Sequence, residues 1–223
     1  MKSKNFVVAM AVIGAISSTS AVAAAVSWTD WTSVSTSASQ VNGSLAVGAT
    51  NVGVTFSGAY SFAQTSGGTN YWSPSTPYLS SVVSNAPPAA DIIALSSGGT
   101  ATITFSQAVT DPLIALVSWN GNTVDFGVPI EILSFGPGYW GSGTPILNGD
   151  GDGFSGAGEV HGVIRLPGTY SSISFTHTSE NWHGLTVGAV GLPAPNGVPE
   201  PAGLALVGLA LAGLGWTRRK AAK

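Results

Sequence analysis

Alternation with a period of two, broken every few residues by a turn signal, limits most strongly what this chain can fold into. Ala101, Ile103 and Phe105 fall on one side of an extended segment, and Thr102, Thr104 and Ser106 fall on the other. Ile173 and Phe175 repeat the pattern against Ser172, Ser174 and Thr176. Residues 113–117 are continuously apolar and rich in β-formers, as a central strand covered on both faces should be, with Asp111-Pro112 at its entrance. Further strands are expected over 26–34, 52–62, 91–95, 124–135, 163–166 and 185–192. Ser66-Gly67-Gly68, Ser97-Gly98-Gly99 and Asn120-Gly121-Asn122 supply turns. No ten-residue amphipathic helix interrupts the series. The pattern predicts an all-β fold, an antiparallel β-sandwich that is jelly-roll-like in outline.

Charge is scarce and unevenly placed. Only 8% of residues are charged. Lys2, Lys4, Arg218, Arg219, Lys220 and Lys223 occupy the extremes, leaving Arg165 as the sole basic residue between them. Against it stand Asp30, Asp91, Asp111, Asp125, Glu131, Asp150, Asp152, Glu159, Glu180 and Glu200. So acidic a surface repels phosphates, which excludes nucleic acid as a partner and favours neutral or cationic ones. With no cysteine, the domain is held by burial and hydrogen bonding, without disulfides or thiol chemistry.

The two ends read as targeting segments. Lys2 and Lys4 precede an apolar run over 6–16; Ser17-Ser18-Thr19-Ser20 then leads to Ala21-Val22-Ala23, the order of a signal peptide cut by signal peptidase after Ala23, with Ala25 the second choice. The expected organisation is a signal peptide at 1–23, an exported sandwich at 24–192 and a proline-rich linker at 193–201. A transmembrane helix at 202–217 and a basic cytoplasmic tail at 218–223 complete it. Leu204, Leu206, Val207, Leu209, Leu211 and Leu214 are separated only by Ala and Gly, so a helix there has no polar face and suits lipid. The cluster Arg218-Arg219-Lys220 would stay in the cytosol by the positive-inside rule. As a helix, 202–216 would span about 22 Å against a hydrocarbon core of about 30 Å, which favours a transient over a permanent anchor.

Val198-Pro199-Glu200-Pro201, the apolar helix and the Arg-rich end together resemble the PEP-CTERM sorting signal. The resemblance implies recognition by the membrane peptidase exosortase through Pro199, Glu200 and Pro201, with Arg218 and Arg219 completing the signal. It also implies a Gram-negative host, a transient stay in the inner membrane, cleavage near the motif and delivery to the outer surface or an exopolysaccharide matrix. Trp28-Thr29-Asp30-Trp31 and Glu180-Asn181-Trp182-His183-Gly184 give the domain the look of others that carry this tail.

Within the domain, Asn148-Gly149-Asp150-Gly151-Asp152-Gly153-Phe154 followed by Glu159 has the spacing of a calcium-binding loop. Asn148, Asp150 and Asp152 would stand at positions one, three and five, Phe154 would offer its carbonyl, and Glu159 would close the cage as a bidentate ligand. Asn148 in place of the usual Asp lowers the ligand charge, and a solvated Gly-Asp turn is the other reading. No pattern requires a cofactor, and calcium is the one candidate. His161, His177 and His183 are the only histidines. Glu159, Glu180 and His183 are weak transition-metal candidates, and His161 reads better as a hydrogen-bonded edge residue on the face it shares with Glu159.

Tyr71, Trp72, Tyr139 and Trp140 lie in proline- and glycine-rich loops, where rings either stack on sugars or close the ends of the sandwich. Gly153-Phe154-Ser155-Gly156-Ala157 lacks the final glycine of a nucleophile elbow, and Arg165 alone makes no phosphate site; it reads as the partner of an acidic neighbour. The reading is a noncatalytic exported surface or matrix-associated protein. The alternative is a secreted carbohydrate-active enzyme or a glycan-binding module.

Overall fold

The computed structural model describes residues 23–193. The expected signal peptide up to Val22, the expected linker beyond Pro193, and the expected sorting helix and basic tail lie outside the described residues. Fifteen strands follow one another: β1 (Ser27–Trp28), β2 (Asp30–Ser35), β3 (Gln40–Val47), β4 (Thr50–Ser57), β5 (Phe62–Gln64), β6 (Ile92–Leu95), β7 (Gly99–Thr110) and β8 (Leu113–Trp119). Then come β9 (Thr123–Asp125), β10 (Glu131–Phe135), β11 (Gly143–Leu147), β12 (Gly153–Gly158), β13 (Val160–Arg165), β14 (Thr169–His177) and β15 (His183–Ala189). One 3-10 turn, Thr76–Tyr78, is the only helical element among the described residues, and no helix there is long and apolar enough to cross a membrane.

The strands form two antiparallel sheets, in agreement with the predicted all-β sandwich. One runs β10-β13-β8-β15-β6-β5 with β1 paired to β15; the other runs β11-β12-β9-β14-β7-β4-β3-β2. Each reads differently in sequence because each is solvated differently. In the eight-stranded sheet, Ala101, Ile103 and Phe105 of β7 and Ile173 and Phe175 of β14 point into the core, while Thr104, Ser172, Ser174 and Thr176 face water. In the seven-stranded sheet, β8 and β15 are buried along their whole length, as residues 113–117 led one to expect. Its inner face meets the other sheet through Ile114, Leu116, Trp119, Leu185 and Val187. Its outer face is roofed by the long loop between β5 and β6, which buries Trp72, Tyr78 and Val83 against Leu113, Ala115 and Val163.

Three expected strands are each two strands that change sheet. The chain crosses at Thr29, whose amide and hydroxyl both donate to the Val187 carbonyl at 2.9 and 2.8 Å. It crosses again between β4 and β5, and between β9 and β10, where Gly127-Val128-Pro129 interrupts the apolar run. Both sides of each crossing are apolar, so hydrophobicity carries no mark of the change of partner. Buried polar bonds tie the sheets together: Trp31 Nε1 in β2 donates to Thr186 Oγ1 in β15 at 3.0 Å, and the Trp31 amide donates to Asp91 Oδ1 at 2.9 Å. Arg165 does find an acidic neighbour, its cross-strand partner Glu131, to which Nε donates at 2.9 Å.

Candidate functional site

At one end of the sandwich several connections pass between the sheets, among them β8 to β9, β10 to β11, β12 to β13 and β14 to β15. These connections carry the exposed aromatic rings and two carboxylates. Tyr139 and Trp140 are the two central residues of a tight turn closed by the amide of Gly138 on the carbonyl of Gly141 at 2.7 Å, with a longer return bond of 3.4 Å. So short a turn cannot fold its side chains under itself, and Tyr139 and Trp140 remain 41% and 56% exposed. Gly138 has to be glycine, because a Cβ there would lie 2.2 Å from Cγ of His161.

Rings from separate loops meet around this turn. Tyr71 lies 5.1 Å from Tyr139 and 5.0 Å from Trp182, ring centre to ring centre, and Trp140 lies 4.9 Å from Tyr139 and 6.5 Å from Trp182. These are the edge-on and tilted geometries that aromatic quadrupoles favour. Beside them opens a cleft of 210 Å³ lined by Ser118, Trp140, Glu159, Glu180, Asn181 and Trp182.

The two carboxylates in the cleft are held differently. Glu159 accepts a short hydrogen bond from Ser118 Oγ and another from Asn120 Nδ2 at 2.8 Å. Ser118 reaches it from a left-handed backbone conformation at φ 58°, uncommon for a residue with a side chain. Glu180 is half-buried, and desolvation pushes its carboxyl above the usual range; the Glu159 charge adds to this, while the amides of Trp182 and Asn181 oppose it. Behind it His183 Nδ1 lies 3.3 Å from Glu180 Oε2 without the alignment of a hydrogen bond. The contact is no ion pair at neutral pH, because burial, with His177 adding to it, holds the His183 pKa down to about 3. His183 Nε2 and His177 Nδ1 share a proton-bearing contact of 3.1 Å, and Trp119 packs edge-on against both rings.

The structure sorts the sequence-predicted residues. Tyr71, Tyr139 and Trp140 come together. Trp72 does not: it is 2% exposed and packs edge-on to Tyr78 at 5.2 Å, so it is a roof residue of the core and no sugar contact. The calcium cage is not assembled either. Asn148, Asp150 and Asp152 sit in the turn between β11 and β12, where Asn148 Oδ1 accepts from the amides of Gly151 and Asp152 at 2.9 and 3.1 Å. Phe154 is already in strand β12, and Glu159 lies past its far end, on the order of 20 Å away at about 3.3 Å per residue. Glycines 153, 156 and 158 serve strand pairing there, and the strand extends where a calcium loop would coil. Among the described residues no three His, Cys, Asp or Glu side chains converge to hold a metal ion.

His161 is likewise not an edge residue. It is fully buried in β13, between β10 and β8, with Nδ1 3.4 Å from the Tyr78 hydroxyl, and burial lowers its pKa to about 4. It and Glu159 do lie together beneath the Gly138–Gly141 turn. Sequence reasoning missed Ser118, Asn120 and Trp182 as site residues. Trp182 stood in a segment already conspicuous for its chemistry, Glu180-Asn181-Trp182-His183-Gly184; nothing in the sequence marks Ser118 or Asn120.

The described domain is therefore a two-sheet antiparallel sandwich with an aromatic and acidic cleft at one end. Residues 197–220 match the family model of the PEP-CTERM protein-sorting motif. The chain thus carries a PEP-CTERM sorting signal, which implies export, exosortase as processing partner and sorting to the cell surface. No curated protein and no solved structure matches the chain.

Proposed function

We propose that the protein is a noncatalytic surface or matrix-associated protein whose sandwich holds polysaccharide in the cleft lined by Trp140, Trp182, Glu159 and Glu180, beside the rings of Tyr71 and Tyr139. The observation that carries this reading is the exposure of Trp140, at 56%, on a turn whose backbone is closed beneath it. A domain that leaves Tyr139 and Trp140 exposed against the partly buried rings of Tyr71 and Trp182, beside carboxylates that accept hydroxyl hydrogen bonds, offers apolar faces and polar edges that complement those of a sugar ring. The sorting signal supports the setting, since it implies sorting to the cell surface. In this reading signal peptidase removes the first 23 residues, the inner membrane holds the chain briefly, and exosortase cuts near Pro199-Glu200-Pro201.

The test pairs one exposed and one buried tryptophan. Trp140→Ala is expected to abolish retention on immobilised exopolysaccharide with an unchanged melting temperature, whereas Trp72→Ala costs about 3–5 kcal/mol of stability through its cavity. Retention that survives Trp140→Ala and Trp182→Ala in a folded protein refutes the cleft as the binding surface. Release of shorter saccharides by the wild-type protein, abolished by Glu159→Gln, would instead establish a carbohydrate-active enzyme.

A further inference from the structure

We infer that the sugar held by this cleft carries a protonated primary amine, as a de-N-acetylated hexosamine does, with its ammonium against Glu159 and Glu180 and its ring against Trp140 and Trp182. The inference rests on the saccharide reading above and names the class of sugar. Its first support is the charge inventory. Residues 23–193 hold nine carboxylates and a single cationic side chain, Arg165, which is committed to Glu131. An anionic polysaccharide built of uronic acids or sulfated sugars would find no counter-charge in the cleft and would meet two negative ones.

Geometry carries the rest. Glu159 and Glu180 line the same cleft from different crossovers, β12 to β13 and β14 to β15. At 210 Å³ the cleft is smaller than the roughly 300–1,000 Å³ of drug-sized pockets, so it takes one ring and leaves the rest of a chain outside. Among the described residues no cation balances the pair. The group behind Glu180 is His183, fully buried, neutral at physiological pH and without a hydrogen bond at Nδ1. Ser118 and Asn120 spend their hydrogen bonds fixing Glu159 in place, so its charge is pre-positioned. An ammonium supplies three donors and one positive charge, the complement of two carboxylates that line one cleft. The acetamide of an N-acetylated sugar supplies a single N–H and no charge.

The experiment is calorimetric titration of the exported protein recovered from cells with a β-1,4-linked glucosamine hexamer and with its fully N-acetylated counterpart, at about pH 6 and low salt. The expected result is a preference of about tenfold for the amine form, falling as salt is added and lost in Glu180→Gln and Glu159→Gln. Trp140→Ala should weaken both sugars. Equal binding of the two hexamers, or a preference that persists in both carboxylate variants with unchanged melting temperatures, overturns the inference while leaving the saccharide reading intact. Binding to host exopolysaccharide without binding to the glucosamine hexamer does the same. Failure to bind either hexamer and the host polysaccharide sinks both.

Discussion

His161, His177 and His183 are buried and neutral, and each is an acid-sensitive point in the fold. Burial lowers the pKa of His161 to about 4 and of His183 to about 3, and lowers that of His177 as well. Above about pH 6.5 neither the folded nor the unfolded chain protonates them. As pH falls further, the unfolded chain takes up protons that the folded chain refuses, so stability falls between about pH 6.5 and the folded pKa of each ring, by up to about 1.4 kcal/mol per pH unit per histidine. The raised carboxyls of Asp91 and Glu180, both lifted chiefly by burial, hold protons better when folded and act in the opposite direction. Melting temperature followed from pH 7 to pH 4 should therefore decline, and His161→Gln should flatten the decline. A slope identical in the wild type and His161→Gln would show that the ring is not the acid-sensitive group. At this scale the sequence was mute: three histidines in a Ser/Thr-rich chain carry no sign of which are enclosed, since enclosure of His161 depends on Tyr78 and Gly138, far from it in sequence.

Strands were legible where one partner pattern held along the whole segment. β7, β14 and β8 were readable because each keeps one solvation environment from end to end, alternating for the first two and continuous for the third. β12 was not. Its sequence, Gly153-Phe154-Ser155-Gly156-Ala157-Gly158, reads as a loop because glycine is poor in strands. Yet Gly156 is needed there, since a Cβ would stand 2.1 Å from the Trp119 carbonyl oxygen. The calcium spacing runs over the same stretch, where the backbone is a hairpin turn followed by its outgoing strand. Of the cleft and the rings beside it, three rings were legible because Tyr and Trp in Gly/Pro loops stand out; the fourth ring and the support of Glu159 depend on tertiary meeting of crossovers. Gly138→Ala tests how the turn presents its rings. The methyl would collide with His161 and lift Tyr139 and Trp140, so saccharide retention should fall at least tenfold at a cost of about 1–3 kcal/mol in stability. Full retention in Gly138→Ala would mean that the turn's position is irrelevant to binding.

At the scale of the whole molecule, a folded domain is followed by a tail whose sorting motif implies export. The tail's legibility came from an ordered combination, Pro-Glu-Pro, an uncharged apolar run and an arginine pair, each part of which is common alone. In cells of the host, Glu200→Ala or loss of residues 202–223 should change the location and mature mass of the protein without changing the melting temperature of the domain. An unaltered fractionation pattern and intact mass in Glu200→Ala would count against exosortase processing.

The charge inventory of residues 23–193 also bears on survival outside the cell. Arg165 is the one side chain in that stretch after which a trypsin-like protease can cut, and lysine is wholly missing from it. The bond in question joins the end of β13, enclosed between β10 and β8, to Leu166, which is fully buried. An enzyme of that specificity must wait for the sheet itself to open, so digestion proceeds only as fast as the population of opened molecules allows. Against enzymes of that specificity the domain is thereby guarded through the residues it leaves out.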